Sequence, residues 1–453
     1  MVDLEVRHVV TCFVRAEAEV LLLRRSSEVG SYPGRWGAVA GHAEGDPDEA
    51  ARREIEEETG FTDVELVRRG NPFSVEDKEL GIAWTVHPYL FDGRRRQPAL
   101  NEESTEGEWA APPDILQRAT VPELWRSYRA VAPSVADVRT DREHGSAYLS
   151  LRALEVLRDR AAEASSRTHI RALAKELVAA RPSMAAVRNR INRAMRRCLT
   201  SMPDGGERAA CIHTVLREAV SSDHAASSAA AEFIGGATVL TVSRSGTVLD
   251  ALLSTRARVV VAVSLPGGEG VEVARRLDRA RLDVTLIPDA SMASAPPFDA
   301  VLLGCDTLLP DGSIVNKVGS RLAALVARGR GVPVYVAVAL DKLLATNESD
   351  RSGEASEKQE RDDRSEDVAV KRELDGRFGD VAAEQERADR SSVGLVSDRV
   401  DVRTEIFERV PADLIDAYAT ERGVIERDEV KRYAEEFREM EGVVGRPTSS
   451  LPW

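Results

Sequence analysis

Residues 41–61 read Gly41-His-Ala-Glu-Gly-Asp-Pro-Asp-Glu-Ala-Ala-Arg-Arg-Glu-Ile-Glu-Glu-Glu-Thr-Gly-Phe61, a short turn followed by an acidic segment of helical character. Asp46 is placed as an N-cap and Pro47 at the first helical position. Glu49 is placed as the third residue of a capping box, and Gly60 as the residue that ends a helix in the left-handed conformation. These signals predict a helix between Asp46 and Gly60.

The predicted helix carries a cluster of carboxylates. Glu54, Glu57 and Glu58 stand at i, i+3 and i+4, so they are expected to project from one face. Like charges this close repel one another, and a divalent cation with oxygen ligands, Mg²⁺ or Mn²⁺, is the natural counter-charge. An acidic helix face that is simply solvated is the alternative that the spacing leaves open.

The segment Arg53-Glu-Ile-Glu-Glu-Glu-Thr-Gly-Phe61 resembles the second half of the Nudix box without a gap. The first half departs from the family pattern. Nudix proteins have a Glu eight residues before the Arg, where this chain has Gly45, flanked by Glu44 and Asp46.

The resemblance covers about residues 5–130 and implies a Nudix α/β/α sandwich with metal-dependent hydrolase activity on a nucleoside diphosphate linked to another group. It implies that Glu54 and Glu57 are catalytic. The implied ligands of Mg²⁺ or Mn²⁺ are Glu54, Glu57 and Glu58, with Glu44 as a further candidate.

A further carboxylate outside the box often serves as a base or metal ligand in Nudix proteins. The segment Asn101-Glu-Glu-Ser-Thr-Glu-Gly-Glu-Trp109 resembles the late Glu-and-Trp element of that family, which makes Glu103 and Glu106 candidates. A polar surface loop is the alternative interpretation of this segment. Residue patterning predicts strands at 6–14 and 19–24 and apolar segments at 64–67 and 83–91.

Length and composition limit the class of protein. A chain of 453 residues exceeds one usual core, so two or three domains are expected. A net charge of −14 argues against direct nucleic-acid binding. No long apolar run and no signal peptide are present, so we expect a cytoplasmic protein with no membrane segment. Cys12, Cys198, Cys211 and Cys305 form no paired motif, which predicts unlinked thiols in a reducing compartment.

The second half of the chain is predicted to form a parallel sheet. An Ala-rich helical region at about 150–202 precedes short apolar runs separated by helix-length segments, which is typical of a doubly wound fold. These runs lie at 238–242, 258–264, 284–287, 300–303 and 334–339. Ligands of such sheets bind beyond the carboxyl ends of the strands, where Ser243, Ser264, Asp289 and Asp306 follow.

The segment Gly304-Cys-Asp-Thr-Leu-Leu-Pro-Asp-Gly-Ser-Ile-Val-Asn-Lys-Val-Gly-Ser320 resembles the signature of a second family. That family joins the alpha, beta and delta subunits of translation initiation factor 2B with methylthioribose-1-phosphate isomerase and ribose-1,5-bisphosphate isomerase, and the resemblance spans about 150–440. It implies a Rossmann-like, homo-oligomeric protein that binds a phosphorylated sugar or nucleotide. The implied ligand-binding residues are Ser243, Asp306, Asn316 and Lys317, with Asp306 as the catalytic residue if the domain is an isomerase.

One departure bears on catalysis. The isomerases have Thr-His-Cys where this chain has Thr241-Val-Ser243. A serine hydroxyl is far less acidic than a thiol, and Cys305 is expected to point away from the site. We therefore favour binding without isomerisation. A sugar-phosphate isomerase and a non-catalytic, translation-related regulatory protein are the two alternatives.

These inferences predict a division of the chain into domains. We expect a Nudix-type domain at 1–135, a helical subdomain at 150–235 and a Rossmann-like domain at 236–440. Residues 346–392 are rich in charge and poor in large apolar side chains, which predicts a disordered insertion. Residues 441–453 are interpreted as a tail.

Overall fold

The computed structural model describes residues 4–141, 144–163, 166–182, 184–199, 204–344 and 406–438. The predicted insertion at 346–392 and tail at 441–453 lie outside these residues. Two compact units are present, one formed by Met1–Asp137, Ala153–Ile170 and Cys198–Arg217, the other by Val138–Arg152, Arg171–Arg197 and Glu218–Trp453. The domain boundaries given above remain predictions. In the described part of the chain, no helix combines the length and apolar character needed to cross a membrane.

The α-helices found in the described residues are α1 Pro47–Thr59, α2 Leu124–Val131, α3 Val135–Thr140, α4 Ser146–Glu163, α5 Arg167–Ala180, α6 Ala185–Ala194, α7 Gly205–Ile234, α8 Gly246–Leu253, α9 Glu269–Arg279, α10 Ser320–Arg330 and α11 Arg427–Arg438. The strands are β1 Glu5–Ala16, β2 Glu19–Arg25, β3 Trp36–Gly37, β4 Val39–His42, β5 Glu65–Arg69, β6 Phe73–Asp77, β7 Ile82–Asp92, β8 Ser104–Ala110, β9 Thr238–Thr241, β10 Arg258–Ala262, β11 Val284–Ile287, β12 Ala300–Leu303, β13 Thr307–Leu308, β14 Ile314–Lys317, β15 Val334–Ala337, β16 Phe407–Val410, β17 Ala417–Thr420 and β18 Gly423–Ile425.

The first unit is built on a mixed sheet with the order β3-β2-β1-β7-β5, and β4, β6 and β8 pair with β1, β7 and β2. Strands β1 and β7 run parallel at its centre. One apolar face packs against α1 through Ile55, and the other packs against α2 through Tyr128. Helices therefore cover both faces, as the α/β/α prediction required. Strands β6 and β8 were not predicted from the sequence.

Helix α1 begins and ends where the sequence predicts. Pro47 is its first residue, and Gly60 adopts φ 70° and donates its N–H to the Glu56 carbonyl oxygen. The Asp46 carboxylate accepts the N–H of Asp48 at 3.0 Å. This bond goes to the second helical N–H and not to that of Glu49, in contrast to the predicted capping box. The apolar side of α1 is fully buried against the sheet.

The cysteine prediction is wrong for one pair. Cys198 and Cys211 form a disulfide with a Cα–Cα distance of 5.6 Å. Cys198 lies in a short π-helical segment, Met195–Leu199, and Cys211 lies in α7. Their separation of 13 residues shows no motif, because the proximity arises from the way these two helical segments fold together. Cys12 and Cys305 are free and buried.

The second unit contains a sheet with the order β11-β10-β9-β12-β15-β17-β18. Its strands are parallel from β11 to β17, and β18 closes an antiparallel hairpin. Apolar clusters lie on both faces, which explains why strands such as β12 are buried along their whole length. The predicted doubly wound sheet is confirmed. The chain reverses direction across the sheet between β9 and β12, where a crevice is expected.

A buried ion network connects α6 and α7 with the segment after β15 in the second unit. Arg190 is fully buried, with Nε at 3.0 Å from Asp341 Oδ2 and Nη2 at 2.7 Å from Asp223 Oδ1. Arg193 also pairs with Asp341. Burial acts to raise the pKa of Asp341, but the two arginines outweigh it and lower that pKa. Each buried charge therefore has partners that replace water.

We expect Asp341→Asn to destabilise the protein by about 3–5 kcal/mol, because the change leaves Arg190 buried with an incomplete set of charge partners. The free energy of unfolding from urea titration would measure the loss. Asp413→Asn is the matched control, since Asp413 is 61% exposed and pairs with Arg328 at the surface. The control should cost at most about 1 kcal/mol. Equal losses in the two variants would contradict the assignment of Asp341 as the centre of the network.

Candidate functional sites

Glu58 is the most buried carboxylate of the acidic helix. It is 5% exposed, and its Oε1 accepts the N–H of Ala40 from β4 at 2.9 Å. Burial raises the pKa of Glu58 to about 8, and the negative charges of Glu103 and Glu54 act in the same direction, against Arg25. The site holds a carboxyl group whose charged form lacks a counter-charge.

Glu54 lies one helical turn before Glu58 and also faces β4. Its side chain is 14% exposed, with Oε1 at 3.2 Å from Arg53 Nη2. A Cβ atom placed on Gly41 would overlap the Glu54 carboxylate, so Gly41 leaves the space that this group occupies. Burial raises the pKa of Glu54, and Glu57 and Glu103 contribute to that rise.

The two late candidates are placed differently. Glu103 directly precedes β8, where its N–H donates to Asn101 Oδ1 at 3.0 Å and its carbonyl accepts the Ser26 N–H at 2.8 Å. Its charge raises the pKa values of both Glu54 and Glu58. Glu106, in contrast, lies on β8 with Oε2 at 3.7 Å from Arg24 Nη1, and both side chains are about half exposed. Glu103 is thus the late carboxylate that interacts with the acidic helix.

The remaining box carboxylates are open to solvent. Glu57 is 58% exposed, and its only ion-pair contact in the described residues is Arg53 Nε at 4.0 Å. Glu44 is exposed in the turn before α1. Successive residues rotate by about 100° around a helix, so Glu57 and Glu58 diverge although both are near Glu54 in sequence. The shared face predicted for the three glutamates therefore divides into an inward pair and an outward member.

The donor set fits a hard divalent cation by its chemistry. The side-chain ligands offered here are the carboxylate oxygens of Glu54, Glu58 and Glu103, which Mg²⁺ and Mn²⁺ prefer. The three negative charges repel one another, and the neighbouring positive charges do not cancel them. In the described ranges, no three His, Cys, Asp or Glu side chains are already gathered closely enough to hold a metal ion. The metal role of these residues remains a prediction.

In the second unit, two serines shape the loops at the carboxyl ends of β9 and β10. Ser243 and Ser264 adopt φ 63° and 65°, in the left-handed region. The Ser243 N–H donates to Ser264 Oγ at 2.6 Å, and the Ser264 N–H donates to Asp289 Oδ1 at 2.8 Å. Ser264 and Asp289 are therefore occupied in holding these loops, which leaves Ser243 as the serine with a role to be tested.

Asp306 follows β12, the strand that pairs in parallel with β9, and Ser243 follows β9. Its N–H donates to the Val315 carbonyl at 3.0 Å, and its Oδ1 accepts the Ser146 N–H at 3.4 Å at the start of α4. Cys305 is 2% exposed within the apolar core, and burial raises the pKa of its thiol. The prediction that Cys305 points away from the crevice agrees with this position.

Asn316 and Lys317 lie together on β14 but differ in their contacts. Asn316 is 5% exposed and donates its amide N–H to Ser320 Oγ at 2.9 Å. Lys317 Nζ lies 2.6 Å from Glu269 Oε1, with 13% of the lysine side chain exposed. Asn316 thus supports the turn into α10, and Lys317 is paired with a carboxylate. Their predicted roles in phosphate binding remain predictions.

Several buried polar atoms near these strand ends have no hydrogen-bond partner within the described residues, namely Ser146 Oγ, Arg244 Nη2, Thr247 Oγ1 and Glu269 Oε2. Ser146 and Thr247 are 1% and 3% exposed. Such atoms are uncommon, because burying a polar group without a partner costs free energy. Sequence reasoning missed all four. Arg244 directly follows Ser243 and Thr247 lies four residues after it, which is the one signal that could have identified them.

Comparison with known families agrees with this two-part arrangement. The model of the Initiation factor 2 subunit family matches residues 142–427, well over half of the chain. The chain belongs to this family. A NUDIX domain matches residues 6–131, so the two resemblances found in the sequence are confirmed.

The curated proteins that are similar to this chain include isomerases. Ribose 1,5-bisphosphate isomerase of Haloterrigena turkmenica is 29% identical over 170 residues, which cover 37% of this chain and 47% of that protein. Methylthioribose-1-phosphate isomerase of Exiguobacterium sibiricum is 32% identical over 158 residues, which cover 34% of this chain and 38% of that protein. The matches to these two relatives thus span less than half of their length. The crystal structure of Pyrococcus horikoshii OT3 translation initiation factor eIF-2B gives a TM-score of 0.49 at 23% identity, covering 64% of this chain and 94% of that one.

Stability should depend on pH through Glu58. With a folded pKa of about 8 and an ordinary value of 4.5, the folded protein keeps a proton that the unfolded chain has lost between these two values. The contribution of Glu58 to the free energy of unfolding is therefore fully present below about pH 4.5 and is lost as the pH rises through 8. Thermal unfolding in a chelator from pH 5 to pH 9 should show this fall, and Glu58→Gln should flatten it.

Magnesium provides a second arm of the same experiment. Mg²⁺ favours the ionised carboxylate, so it should raise the unfolding temperature more at pH 8 than at pH 5. Glu56→Gln, on the exposed side of α1, serves as the control and should keep the wild-type pH profile. A profile unchanged by Glu58→Gln would contradict the role given to this side chain.

Proposed function

We propose that the NUDIX domain of this protein is a Mg²⁺- or Mn²⁺-dependent pyrophosphohydrolase that acts on nucleoside diphosphates linked to another group. The observation that carries this proposal is the buried carboxylate set beneath β4, with Glu58 held by the Ala40 N–H and Glu54 seated over Gly41. Nudix enzymes generally use divalent metals, which fits a group of acidic side chains whose negative charges are not balanced by neighbouring positive charges.

Each carboxylate has a proposed part in this chemistry. Glu54, Glu58 and Glu103 would hold the cation, which when bound neutralises charge on the phosphates and acidifies water. Glu57 is the carboxylate most open to solvent, and in this proposal it accepts a proton from the attacking water.

Hydrolysis can be tested with a panel of nucleotide sugars, ADP-ribose and dinucleotides in the presence and absence of Mg²⁺. We expect metal-dependent phosphate products from at least one of these substrates, and a loss of kcat of about 100-fold or more in Glu57→Gln and Glu58→Gln. Glu56→Gln should retain wild-type turnover.

Gly41→Ala adds a sharper arm to the hydrolysis test. The added methyl group would push aside the flexible end of Glu54 without disturbing backbone, so the variant should fold normally but lose at least about tenfold in kcat. Circular dichroism would confirm the fold. The absence of turnover by the wild-type chain across the whole panel would rule out the hydrolase proposal for these substrates.

For the second unit we propose binding of a phosphorylated sugar or nucleotide in the crevice at the switch point between β9 and β12. Support comes from Asp306 and Ser243 at the two strand ends, from Lys317 on β14 and from the polar atoms without partners nearby. A sugar phosphate brings both hydroxyl groups and phosphate oxygens, which can satisfy such donors and acceptors.

Ligand binding can be measured by calorimetry with ribose 1,5-bisphosphate and with AMP. Lys317→Ala should weaken binding by about tenfold or more, because it removes the cation that a phosphate needs. Glu269→Gln should strengthen binding several-fold, because it releases Lys317 from its ion pair while keeping a side-chain oxygen. Lys175→Ala, an exposed change on α5, should have no effect. If the Lys317 and Glu269 changes both weakened binding, or both strengthened it, this assignment would be contradicted.

A further inference from the structure

A cavity of about 550 Å³ lies in the first unit, beside the loop that joins β2 to β3. Its walls come from three segments of the chain: Tyr32 and Arg35 in that loop, the end of β6 with the turn that follows it, and Thr120 with Pro122 before α2. This volume lies in the range of small-molecule sites. The cavity is lined by none of the carboxylates of the acidic helix, so it offers a second set of contacts in the NUDIX domain.

The β2–β3 loop connects this cavity with the carboxylate site. Arg25, the last residue of β2, donates its Nε–H to the Ser31 carbonyl at 2.9 Å, and its own carbonyl accepts the Gly34 N–H at 3.0 Å. The positive charge of Arg25 also acts on Glu58, against the burial that raises the pKa of this carboxyl group. One arginine thus holds the loop that forms the cavity wall and interacts with the proposed metal site.

The polar groups on the cavity wall are mainly hydrogen-bond acceptors. The Tyr32 hydroxyl donates to Asp77 Oδ2, and burial together with this bond raises the pKa of Tyr32 to about 12. Because its proton is engaged, that hydroxyl has only acceptor capacity left for a ligand. Glu76 and Glu79 also line the cavity, and in the described residues neither carboxylate has an ion-pair partner. A ligand that brings several hydrogen-bond donors would satisfy these oxygens.

The charges on the wall favour a neutral ligand. Arg35 and Lys78 are the cations that line the cavity, and Arg35 Nη1 already donates to the Thr120 carbonyl at 3.1 Å. Three carboxylates outnumber these two cations, so a further phosphate or carboxylate would be repelled. The ring of Tyr32 and the side chain of Pro122 add apolar surface to the same wall. Hydroxyl groups on a carbon ring match this combination.

One buried donor near the wall lacks an acceptor. Trp84, on β7, is 8% exposed, and its Nε1 has no hydrogen-bond partner among the described residues. The indole also acts on the pKa of Tyr32, in the direction opposite to burial and to Asp77, so its N–H lies close to the Tyr32 hydroxyl without completing a hydrogen bond. A ligand hydroxyl can donate to the wall oxygens and accept from such an N–H, which an ammonium group cannot do.

We propose that this cavity binds a sugar ring, and that the substrate of the NUDIX domain is therefore a nucleotide sugar. The proposal rests on the proposed hydrolase function and narrows its substrate class. A new P–O bond to water forms as the bridging P–O bond breaks, its electron pair stays on the leaving phosphate, and one water proton passes to Glu57. The products are a nucleoside monophosphate and a sugar 1-phosphate. The second product belongs to the ligand class proposed for the second unit.

The test compares ADP-, GDP- and UDP-glucose with the methyl esters of ADP, GDP and UDP in the presence of Mg²⁺. The two series share nucleoside and phosphoanhydride and differ in the hydroxyl-bearing ring. We expect kcat/KM to be at least about tenfold higher for the glucose compound of the preferred nucleoside. Tyr32→Phe and Glu76→Ala should each reduce this advantage to about threefold or less, chiefly through KM, and leave turnover of the methyl esters unchanged.

Glu56→Ala is the matched control, because Glu56 is exposed on α1 and does not line the cavity, and it should leave both series unchanged. Equal kcat/KM for the two series would overturn the sugar site and leave the hydrolase proposal standing. An undiminished advantage in both cavity variants would do the same, as would turnover of dinucleotides alone. Absence of turnover in both series and in the wider panel would instead overturn the hydrolase proposal, and the sugar site with it.

Discussion

Burying a charged side chain costs free energy unless other atoms take the place of the lost water, and this constraint governs how the chain uses its polar interior. The network around Arg190 satisfies it for the guanidinium, which has carboxylates on both sides. The site beneath β4 does not, because Glu58 is as buried as a core residue and its neighbours Glu54 and Glu103 carry the same charge. Charges that balance one another stabilise the fold, whereas charges left unbalanced indicate where an outside ion or ligand belongs.

In the NUDIX domain, the backbone positions the carboxylates whose negative charges are not balanced. Strand β4 brings the Ala40 N–H to Glu58 and uses Gly41 to make room for Glu54. The turn at Asn101 holds the backbone of Glu103 in place at the start of β8. These contacts restrain the side chains that repel one another, so the cation of the proposed function would have less ordering to do.

At the crevice expected in the second unit, some neutral and charged groups already have partners and others do not. Ser264 and Asp289 are used in supporting loops, and Asn316 supports the turn into α10. Lys317 carries a counter-ion that a phosphate would compete with. What remains available is Asp306, whose Oδ1 accepts the N–H of Ser146 at the start of α4. Residues from distant parts of the chain thus meet where the strand order reverses.

The sequence by itself determined the helices and strands whose signals are local. The cap at Asp46, the end at Gly60, the strand β11 and the buried strand β12 follow from residue types and spacing that act within a few residues. The two families also follow from short motifs, since such motifs preserve the residues that a turn or site requires. The strands β6 and β8 were missed because they contain few large apolar side chains, Phe73 and Val75 in β6 and Trp109 in β8.

Only the tertiary structure decided which side chains share a site. Glu103 interacts with the acidic helix and Glu106 does not, because β8 pairs with β2 in a register that carries Glu106 towards Arg24. Cys198 and Cys211 are joined, and Ser146 lies beside Asp306, through contacts between segments that spacing cannot relate. The physical reason is that proximity, burial and the balance of charge are properties of packed elements. A local pattern sets which way a residue faces on its own helix or strand, but packing sets what it meets there.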